Sequence, residues 1–354
     1  MPIRVGVIGV GSIAEIAHLP NYRKNDQVVL AAVADFNEQR AQSVANKFGV
    51  AAAYTDVEQM LANENIDAVS ICTPNTSHVP LALTAIRHGV DVLLEKPLST
   101  DYSEAKALVA EAEKANRICM IGMPHRFRNQ ARALKHLVDA GELGDIYYVK
   151  AKILRRRGTP TGWFTDRSKS GGGSLMDIGV HALDLAWWIT GMQKPAKISG
   201  QLVQGIGKYN TLMTGRWKSA DAANQDNSVF DVEDFSTAYI RFENGMVLSL
   251  EVSWALNGPQ DDAVKVDAYG TKGGISLEPL CYYGEHNQVF GEAKLDVVSN
   301  DFYEEEINHF VDCVVRRSTP LIPPSQGAAV VQMLSGIRQS SELRREVDVE
   351  EIEV

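Results

Sequence analysis

Apolar residues in the first third of the chain form short runs that alternate with longer segments of mixed polarity. The short runs, each with the length of a buried strand, are residues 3–8, 28–34, 68–71, 91–94 and 118–121. The intervening segments that favour helices are 38–48, 78–88 and 102–116. Strands that alternate with helices form a parallel sheet with crossover helices, so residues 1–122 are predicted to be a doubly wound α/β domain.

The pattern changes after residue 122, where strands begin to dominate. Beyond a helix predicted at 129–140, the strand-like segments are 146–154, 197–203, 235–242, 246–254, 264–269 and 274–277, and the helices are 174–190, 302–316 and 324–343. Asn244-Gly245 lies between two of these strands and is a common hairpin turn. Residues 123–354 are therefore predicted to be an α+β domain with a large, mainly antiparallel open sheet, whose last helix packs back on the first domain. The polar segment 220–234 is predicted to be a mobile loop near the site.

The first strand leads directly into a glycine turn, Gly9 to Ala14, with the spacing G-x-G-x-x-A. In a dinucleotide-binding fold the first glycine makes a tight turn, the second lets the backbone approach a pyrophosphate, and the small last residue lets the helix pack on the strand. The second strand ends at Asp35, close to the spacing at which a carboxylate binds the adenosine ribose. The competing interpretation is a plain β-turn followed by a helix cap at Asp35 and Asn37.

This arrangement predicts NAD as the cofactor. A carboxylate at Asp35 binds ribose hydroxyls but repels a 2′-phosphate, so NAD is expected to be preferred over NADP. Arg40, in the following helix, could soften that discrimination, and NADP remains the alternative.

Length, charge and cysteine content fit an intracellular enzyme. The 354 residues suffice for two domains, and the formal net charge of −10 argues against nucleic acid as a partner. The four cysteines are widely spaced without a C-x-x-C pair and are expected to be reduced. No charged leader and no apolar run of about 18 residues is found, so no membrane partner is expected and the cytoplasm is the predicted location.

Lys96 stands directly after the apolar run 91–94, in the tripeptide Glu95-Lys96-Pro97. In open α/β sheets ligands bind outside the carboxyl ends of the strands, so a lysine at this point can direct its charge at a substrate oxygen. The chain must turn sharply here. We therefore predict a cis peptide bond between Lys96 and Pro97, a typical feature of tight turns.

A second group of polar side chains follows the glycine run 171–173. Asp177 and His181 are four residues apart on a predicted helix and therefore share one face, which suits acid–base chemistry. Alternatively, Asp177 forms a capping box with Ser174, and His181 is a buried core residue. Zinc needs three or four protein ligands, and no third ligand of suitable spacing is found, so no metal is expected.

Taken together, these motifs resemble the Gfo/Idh/MocA oxidoreductases over essentially the full length. The residues that carry the resemblance are Gly9–Ala14, Asp35, Thr73-Pro74-Asn75 with His78, Glu95-Lys96-Pro97, Arg126-Phe127, Trp163-Phe164, Gly171–Gly173, Asp177 with His181, and Gly270–Gly273. The resemblance implies a Rossmann domain followed by an α+β domain, and an enzyme that transfers a hydride between a carbinol carbon of a sugar, inositol or related polyol and NAD(P). One departure is Pro124-His125, where family members often have Asn or another polar residue before the arginine.

The resemblance also implies roles for individual residues. The cofactor-binding residues would be Gly9, Gly11, Ser12, Ile13, Asp35, Thr73, Asn75, His78, Glu95, Lys96 and Arg126, and the substrate-binding residues would be Lys96, Arg126, Trp163, Asp177 and His181. Within these sets, the residues expected to line the nicotinamide side are Thr73, Asn75, His78 and Glu95. Arg126 and Trp163 are expected to border both the nicotinamide and the substrate.

The reaction requires that the hydroxyl proton leaves together with the hydride, so a base must reach the substrate oxygen. His181 is the predicted base, because an ordinary imidazole pKa of about 6.5 suits proton exchange near neutrality. Asp177 is predicted to orient the imidazole or bind an adjacent hydroxyl, and Lys96 to stabilise the developing negative charge. The alternative makes Lys96 the base, and the sequence does not choose between them.

Three functional classes follow from this reading. They are a sugar or polyol dehydrogenase, an NAD-dependent glycoside-cleaving enzyme, and a non-catalytic NAD(P)-sensing regulator. A regulator would be expected to lack Lys96 or His181, so their presence favours the dehydrogenase. Because the strand segment 246–250 is apolar, we also expect a homodimer or homotetramer built on the face of the second sheet.

Overall fold

A computed structural model describes residues 1–208, 217–220, 229–259 and 263–353. The strands are β1 (Ile3–Ile8), β2 (Val28–Ala34), β3 (Ala52–Tyr54), β4 (Ala68–Ile71), β5 (Asp91–Glu95), β6 (Cys119–Gly122), β7 (Ile146–Leu154), β8 (Pro195–Val203), β9 (Phe235–Phe242), β10 (Val247–Ser253), β11 (Lys265–Gly270), β12 (Gly273–Ser276), β13 (Cys281–His286), β14 (Val289–Lys294) and β15 (Val347–Asp348). The α-helices are α1 (Leu19–Lys24), α2 (Glu38–Phe48), α3 (Val57–Asn63), α4 (His78–Arg87), α5 (Tyr102–Lys114), α6 (Asn129–Asp139), α7 (Arg167–Ser170), α8 (Val180–Ile189), α9 (Phe302–Arg316) and α10 (Pro324–Leu343). Two π-helical segments, Ala14–His18 and Leu175–Gly179, lead directly into α1 and α8.

The first six strands form one parallel sheet in the order β3-β2-β1-β4-β5-β6. This is the strand order of the doubly wound dinucleotide-binding fold, in which the order reverses between β1 and β4. Strands β4, β5 and β6 are buried at every position, because helices cover both faces of such a sheet. The predicted fold class is confirmed.

The second sheet has nine strands in the order β14-β13-β12-β11-β7-β10-β9-β8-β15. Its pairings are antiparallel except for β7 with β10, which run parallel. Along β7, β9 and β10 buried residues alternate with more exposed ones, as expected when one face is covered and the other is open. Helices α8 and α10 pack on the covered face.

The hairpin of β13 and β14 was missed by the sequence prediction. All six residues of β14 are exposed, so the strand shows no alternation of apolar and polar positions. Its turn consists of Asn287 and Gln288, both with positive φ, rather than the Asn-Gly pair that signals a hairpin. The short elements β3 and α3 were also missed. Of the segment predicted to be a mobile loop, residues 221–228 lie outside the described residues.

The last helix connects the two sheets. Helix α10 packs on strand β8 and also against helix α5 of the first domain. The backbone N–H of Ile121 donates to the carbonyl of Ile322, just before α10 begins. Strand β6 ends at Gly122, and our division into residues 1–122 and 123–354 stays a prediction. No helix within the described ranges is long and apolar enough to cross a membrane.

Candidate active site

A cavity of about 990 Å³ lies at the carboxyl ends of the first sheet's strands, where the second domain closes its other side. Small-molecule sites typically measure roughly 300–1,000 Å³, so this cavity has room for a dinucleotide and a small substrate together. The predicted site residues that line it are Gly9, Gly11, Ser12, Ile13, Asp35, Thr73, Asn75, Glu95, Lys96, Trp163, Asp177 and His181. The fold thus brings together twelve residues from both halves of the chain.

The glycine turn has the geometry that a pyrophosphate requires. Gly9 has a φ of 81°, and a Cβ there would lie 2.7 Å from the Thr73 side chain and 2.9 Å from the Cys72 backbone. Gly11, in contrast, has no atom of a described residue beyond its chain neighbours within 4 Å of an ideal Cβ position, so its backbone faces open space in the cavity. A turn that is tight at Gly9 and open at Gly11 fits the two roles that these glycines have in dinucleotide binding.

Asp35 fixes the start of this turn. Its Oδ2 atom accepts a hydrogen bond from the backbone N–H of Val10 at 3.0 Å, and its Oδ1 atom pairs with the Arg40 guanidinium at 2.6 Å. The helix cap belongs to Asn37 instead, whose side chain accepts from the N–H of Arg40. The helix cap in the competing interpretation is therefore confirmed for Asn37 and wrong for Asp35. Its carboxylate lies on the cavity wall, at the end of β2.

Lys96 and Asp177 meet across the boundary between the two sheets. The Lys96 ammonium donates to the backbone carbonyl of Asp177 at 2.9 Å and to its Oδ1 atom at 3.2 Å. The other carboxylate oxygen of Asp177 accepts from the indole N–H of the fully buried Trp254 at 2.9 Å. Both oxygens are thus engaged. The Lys96–Pro97 peptide bond is cis, as predicted.

The position of Asp177 depends on the glycine run before it. The N–H groups of Gly173 and Leu175 donate to one carboxylate oxygen of the buried Glu233, at 2.9 and 3.0 Å. A Cβ on Gly173 would overlap the Glu233 carbonyl oxygen, so only glycine fits. Ser174 makes no side-chain cap, and Asp177 lies in a π-helical turn, a feature frequent at functional sites. The capping-box alternative is therefore wrong.

His181 lies in the cavity wall beside a second histidine that the sequence analysis did not assign. The rings of His125 and His181 meet edge to face, with centroids 5.0 Å apart. The Nδ1 atoms of both are buried and have no hydrogen-bond partner among the described residues. Asp177 does not orient the His181 ring, because its carboxylate is committed to Lys96 and Trp254, and this part of the prediction is wrong.

Electrostatics keep both rings neutral. Burial and the neighbouring Lys96 ammonium hold the pKa of His181 well below its usual range. Burial, together with the charge of Arg128, lowers the pKa of His125 to about 3. At neutral pH each ring therefore carries one hydrogen and one lone pair. Because Nδ1 of His181 is buried, Nε2 is the ring nitrogen available to a substrate.

Two predicted site residues lie outside the cavity. Arg126 is fully buried and makes a bidentate ion pair with Asp184, with N–O distances of 2.9 and 2.6 Å, so its charge is neutralised inside the protein. His78 is also fully buried, and its ring nitrogens lie 2.7 Å from the Pro97 carbonyl and 2.9 Å from the Thr73 carbonyl. Burial lowers its pKa. The predicted contacts of Arg126 and His78 with cofactor or substrate are therefore wrong in this structure.

The remaining predicted residues take ordinary supporting contacts at the cavity wall. Asn75 donates to the carbonyl of Ser170 at 2.8 Å, which ties the first domain to the glycine run. Trp163 stacks on Phe164 with centroids 4.0 Å apart. The Ser12 hydroxyl donates to the carbonyl of Lys218 at 2.8 Å, so residues 217–220 reach over the glycine turn.

Further residues that sequence reasoning left without a role also line the cavity, among them His125, Arg155, Trp217 and Tyr303. His125 had a signal, because it follows the carboxyl end of β6. The other three come from distant parts of the chain that only the tertiary fold brings to the site. Among the described residues no three His, Cys, Asp or Glu side chains lie close enough to hold a metal ion.

Comparison with known proteins assigns the class. Residues 3–123 match the model of the oxidoreductase family with an NAD-binding Rossmann fold, and residues 131–276 match the GFO/IDH/MocA C-terminal domain. The chain belongs to the GFO/IDH/MocA oxidoreductase family. The predicted resemblance, enzyme class and cofactor are confirmed: the chain is an NAD-dependent oxidoreductase that acts on CH–OH groups.

Individual relatives share most of their length with this chain. D-glucoside 3-dehydrogenase of Escherichia coli (strain K12) is 31% identical over 352 residues, which cover 98% of each chain. Myo-inositol 2-dehydrogenase of Thermotoga maritima is 26% identical over 358 residues, which cover 99% of each chain. The structure of levoglucosan dehydrogenase in complex with NADH and levoglucosan has a TM-score of 0.84 at 22% identity, covering 99% of this chain and all of that one. At that identity the structural match shows the fold alone.

Proposed function

We propose that this protein oxidises one hydroxyl-bearing carbon of a glucoside or closely related sugar and passes the hydride to NAD⁺. The observation that carries the proposal is the meeting of Lys96, Asp177 and His181 in the same cavity as the glycine turn. These three side chains come from both domains. A regulator that only senses the cofactor has no need of such a group.

The aromatic wall supports a sugar as the substrate. Trp163 and Phe164 form a stacked pair, and Trp217 lines the same cavity. Aromatic faces provide large apolar contact area, while Lys96 and His181 provide polar groups that fix orientation. The extent of similarity to D-glucoside 3-dehydrogenase points to a glucoside within this class.

When bound, NAD⁺ would accept the hydride at its nicotinamide ring. Gly9 and Gly11 would hold its pyrophosphate and Asp35 its adenosine ribose. Lys96 would hydrogen-bond the reacting oxygen and stabilise its negative charge, held in position by two bonds to Asp177. The proton from that oxygen must go to a base within hydrogen-bond reach.

His181 is our first candidate for the base. Its ring is neutral, so Nε2 can accept the proton when the ring hydrogen is at Nδ1. That hydrogen would then have no acceptor among the described residues, at a cost of about 1–3 kcal/mol.

The unpartnered Nδ1 favours the alternative, in which Lys96 is the base. With the ring hydrogen at Nε2, His181 donates to the substrate and leaves no buried donor unpaired. In this alternative, the bonds from Lys96 to the backbone carbonyl and the Oδ1 atom of Asp177 would hold its nitrogen against the substrate hydroxyl. Lys96 then takes the proton.

Alanine variants distinguish His181 from Lys96 as the general base. Lys96→Ala and His181→Ala should each lower kcat by about 10²–10⁴-fold while leaving NAD⁺ affinity nearly intact. Lys114→Ala, an exposed lysine on α5, is the matched control and should turn over normally. If His181 is the base, the acidic limb of the pH profile of kcat/KM disappears in His181→Ala. If Lys96 is the base, the acidic limb persists in His181→Ala. Near-normal turnover of either alanine variant would refute both assignments of the base.

The substrate assignment needs a panel of compounds. Methyl glucosides, free aldoses, levoglucosan and inositols are assayed with NAD⁺ by the absorbance of NADH, with Lys96→Ala as the blank. We expect a glucoside to have the highest kcat/KM. An inositol as the best substrate would contradict the glucoside assignment but keep the class. Release of the aglycone from an aryl glucoside would instead support the glycoside-cleaving alternative.

We further propose a homodimer or homotetramer that works in the cytoplasm. Leu248 and Leu250 of the segment first chosen for the interface are fully buried on the covered face of the second sheet, whereas Val247 and Ser249 are partly exposed on the other face. The open face carries a stacked pair, Tyr148 on Tyr269, with the Lys150 ammonium over both rings. The assembly is tested by light scattering, with Tyr269→Glu expected to reduce the mass. The four cysteines are free and buried, which fits a reducing compartment.

A further inference from the structure

Glu95 is connected to three other buried side chains by a series of hydrogen bonds. His18, in the π-helical segment after the glycine turn, lies with its Nε2 atom 2.9 Å from the Oε1 atom of Glu95. Its Nδ1 atom lies 3.0 Å from the hydroxyl of Ser70, and that hydroxyl lies 2.7 Å from the Tyr22 hydroxyl. All four side chains are at least nine-tenths buried.

The number of available hydrogens decides which group donates in each of these hydrogen bonds. With a neutral His18, the Tyr22 hydroxyl donates to Ser70, Ser70 donates to Nδ1 of His18, and Nε2–H donates to Glu95, so every donor has an acceptor. A cationic His18 would reverse the first two bonds. The Tyr22 hydroxyl hydrogen would then lack an acceptor within the described part of the chain, which is costly for a buried group. The network therefore favours a neutral His18 next to an anionic Glu95.

The surroundings leave the charge of Glu95 only partly compensated. Burial alone would raise the pKa of Glu95, but the hydrogen bond from His18 and the charge of Lys96 oppose burial, and the pKa of Glu95 is lowered. The Lys96 ammonium is directed at Asp177, and only its backbone N–H reaches Glu95, at 3.2 Å. Glu306 is buried too, and burial together with the Glu95 charge raises its pKa well above the usual range, so it is neutral.

With NAD bound, Glu95 would lie near the nicotinamide end of the cavity. The pyrophosphate belongs at the glycine turn, and the hydride must be transferred beside Lys96 and His181. Glu95 immediately precedes Lys96 and lines the same cavity. The nicotinamide ring is positively charged when oxidised and neutral when reduced, so a fixed negative charge beside it distinguishes the two forms.

We propose that the Tyr22–Ser70–His18 relay holds Glu95 as an anion beside the nicotinamide ring, and that this charge strengthens binding of NAD⁺ relative to NADH. Glu95 and His18 thereby set the cofactor's redox balance on the protein, shifting it toward NAD⁺ and the alcohol. The inference rests on NAD binding in this cavity and is independent of which sugar is the substrate.

The test measures the dissociation constants of both nucleotides without substrate, NADH by its fluorescence and NAD⁺ by competition against it. Replacement Glu95→Gln keeps the shape and removes the charge, and we expect the ratio Kd(NAD⁺)/Kd(NADH) to rise about tenfold. Glu306→Gln is the matched control, because it alters a neutral buried carboxyl, and its ratio should equal that of the wild type. An equal loss of affinity for both nucleotides in Glu95→Gln would overturn the proposal.

His18→Ala provides a second, independent test of the relay. Without the imidazole donor, Glu95 becomes easier to protonate, so the ratio should move toward the Glu95→Gln value as the pH falls from 8 to 5.5, while the wild-type ratio stays constant. A His18→Ala ratio that equals the wild type at every pH would overturn the role of the relay. Failure of the wild type to bind either nucleotide would instead contradict the NAD assignment, so the two failures are distinguishable.

Discussion

Replacing Arg126 tests whether this residue belongs to the site or to the core. In Arg126→Met the Asp184 carboxylate, which is only 2% exposed, loses both hydrogen bonds of its bidentate pair. Removing one partner of a buried ion pair leaves an uncompensated charge and costs about 3–5 kcal/mol. Domain stabilities are typically about 5–15 kcal/mol, so the loss is a large fraction of the total.

The assay is urea denaturation followed by tryptophan fluorescence, combined with NADH titration of the folded protein. Arg126→Met should unfold at a clearly lower urea concentration, and the double replacement Arg126→Met/Asp184→Leu should recover most of that loss because no charge stays unpaired. Arg132→Met is the matched control, since Arg132 is partly exposed, contacts Glu305 at 3.8 Å and lies 5.2 Å from the centroid of the Phe127 ring, and its loss should change stability by about 1 kcal/mol or less. Normal stability with a large loss of NADH affinity in Arg126→Met would refute the reasoning and restore Arg126 to the site.

Three further outcomes are expected. Asp35→Ser should raise kcat/KM with NADP⁺ relative to NAD⁺ by about tenfold or more, because a carboxylate no longer repels the 2′-phosphate; an unchanged ratio in parallel assays would contradict this. Burial lowers the pKa of His125 to about 3, below its unfolded value of about 6.5. Between these two pH values the unfolded chain binds a proton that the folded protein does not, so the free energy of unfolding is highest above pH 6.5 and decreases as the pH falls toward 3. His125→Asn should therefore flatten the fall in stability between pH 6.5 and 5 by up to about 2 kcal/mol, measured by urea denaturation at each pH. Gly173→Ala should lower the free energy of unfolding by about 1–3 kcal/mol, because the added Cβ overlaps the Glu233 carbonyl. Gly11→Ala should leave stability unchanged and weaken only NAD binding. Thermal unfolding measures the first effect, and NADH titration measures the second.

The sequence was sufficient where structure depends on neighbours along the chain. The order of strand, glycine turn, helix, strand and Asp35 follows from short-range spacing, because each residue acts within one crossover unit. Lys96 was identifiable for the same reason, since it stands at the carboxyl end of a strand whose apolar run reveals its burial. Five of the six strands of the first sheet, all except β3, and the bounds of β7, β9, α9 and α10 were therefore predictable from periodicity.

Contacts between distant segments were decided only by the tertiary structure. Arg126 follows β6 and was expected in the site, but the fold places Asp184, 58 residues away, within reach of its guanidinium. Asp177 is held by Trp254, 77 residues further along, rather than by the histidine four residues away. No local pattern encodes these pairings, because a buried charge binds whichever partner the packing of two domains brings to it, and that packing is a property of the whole chain.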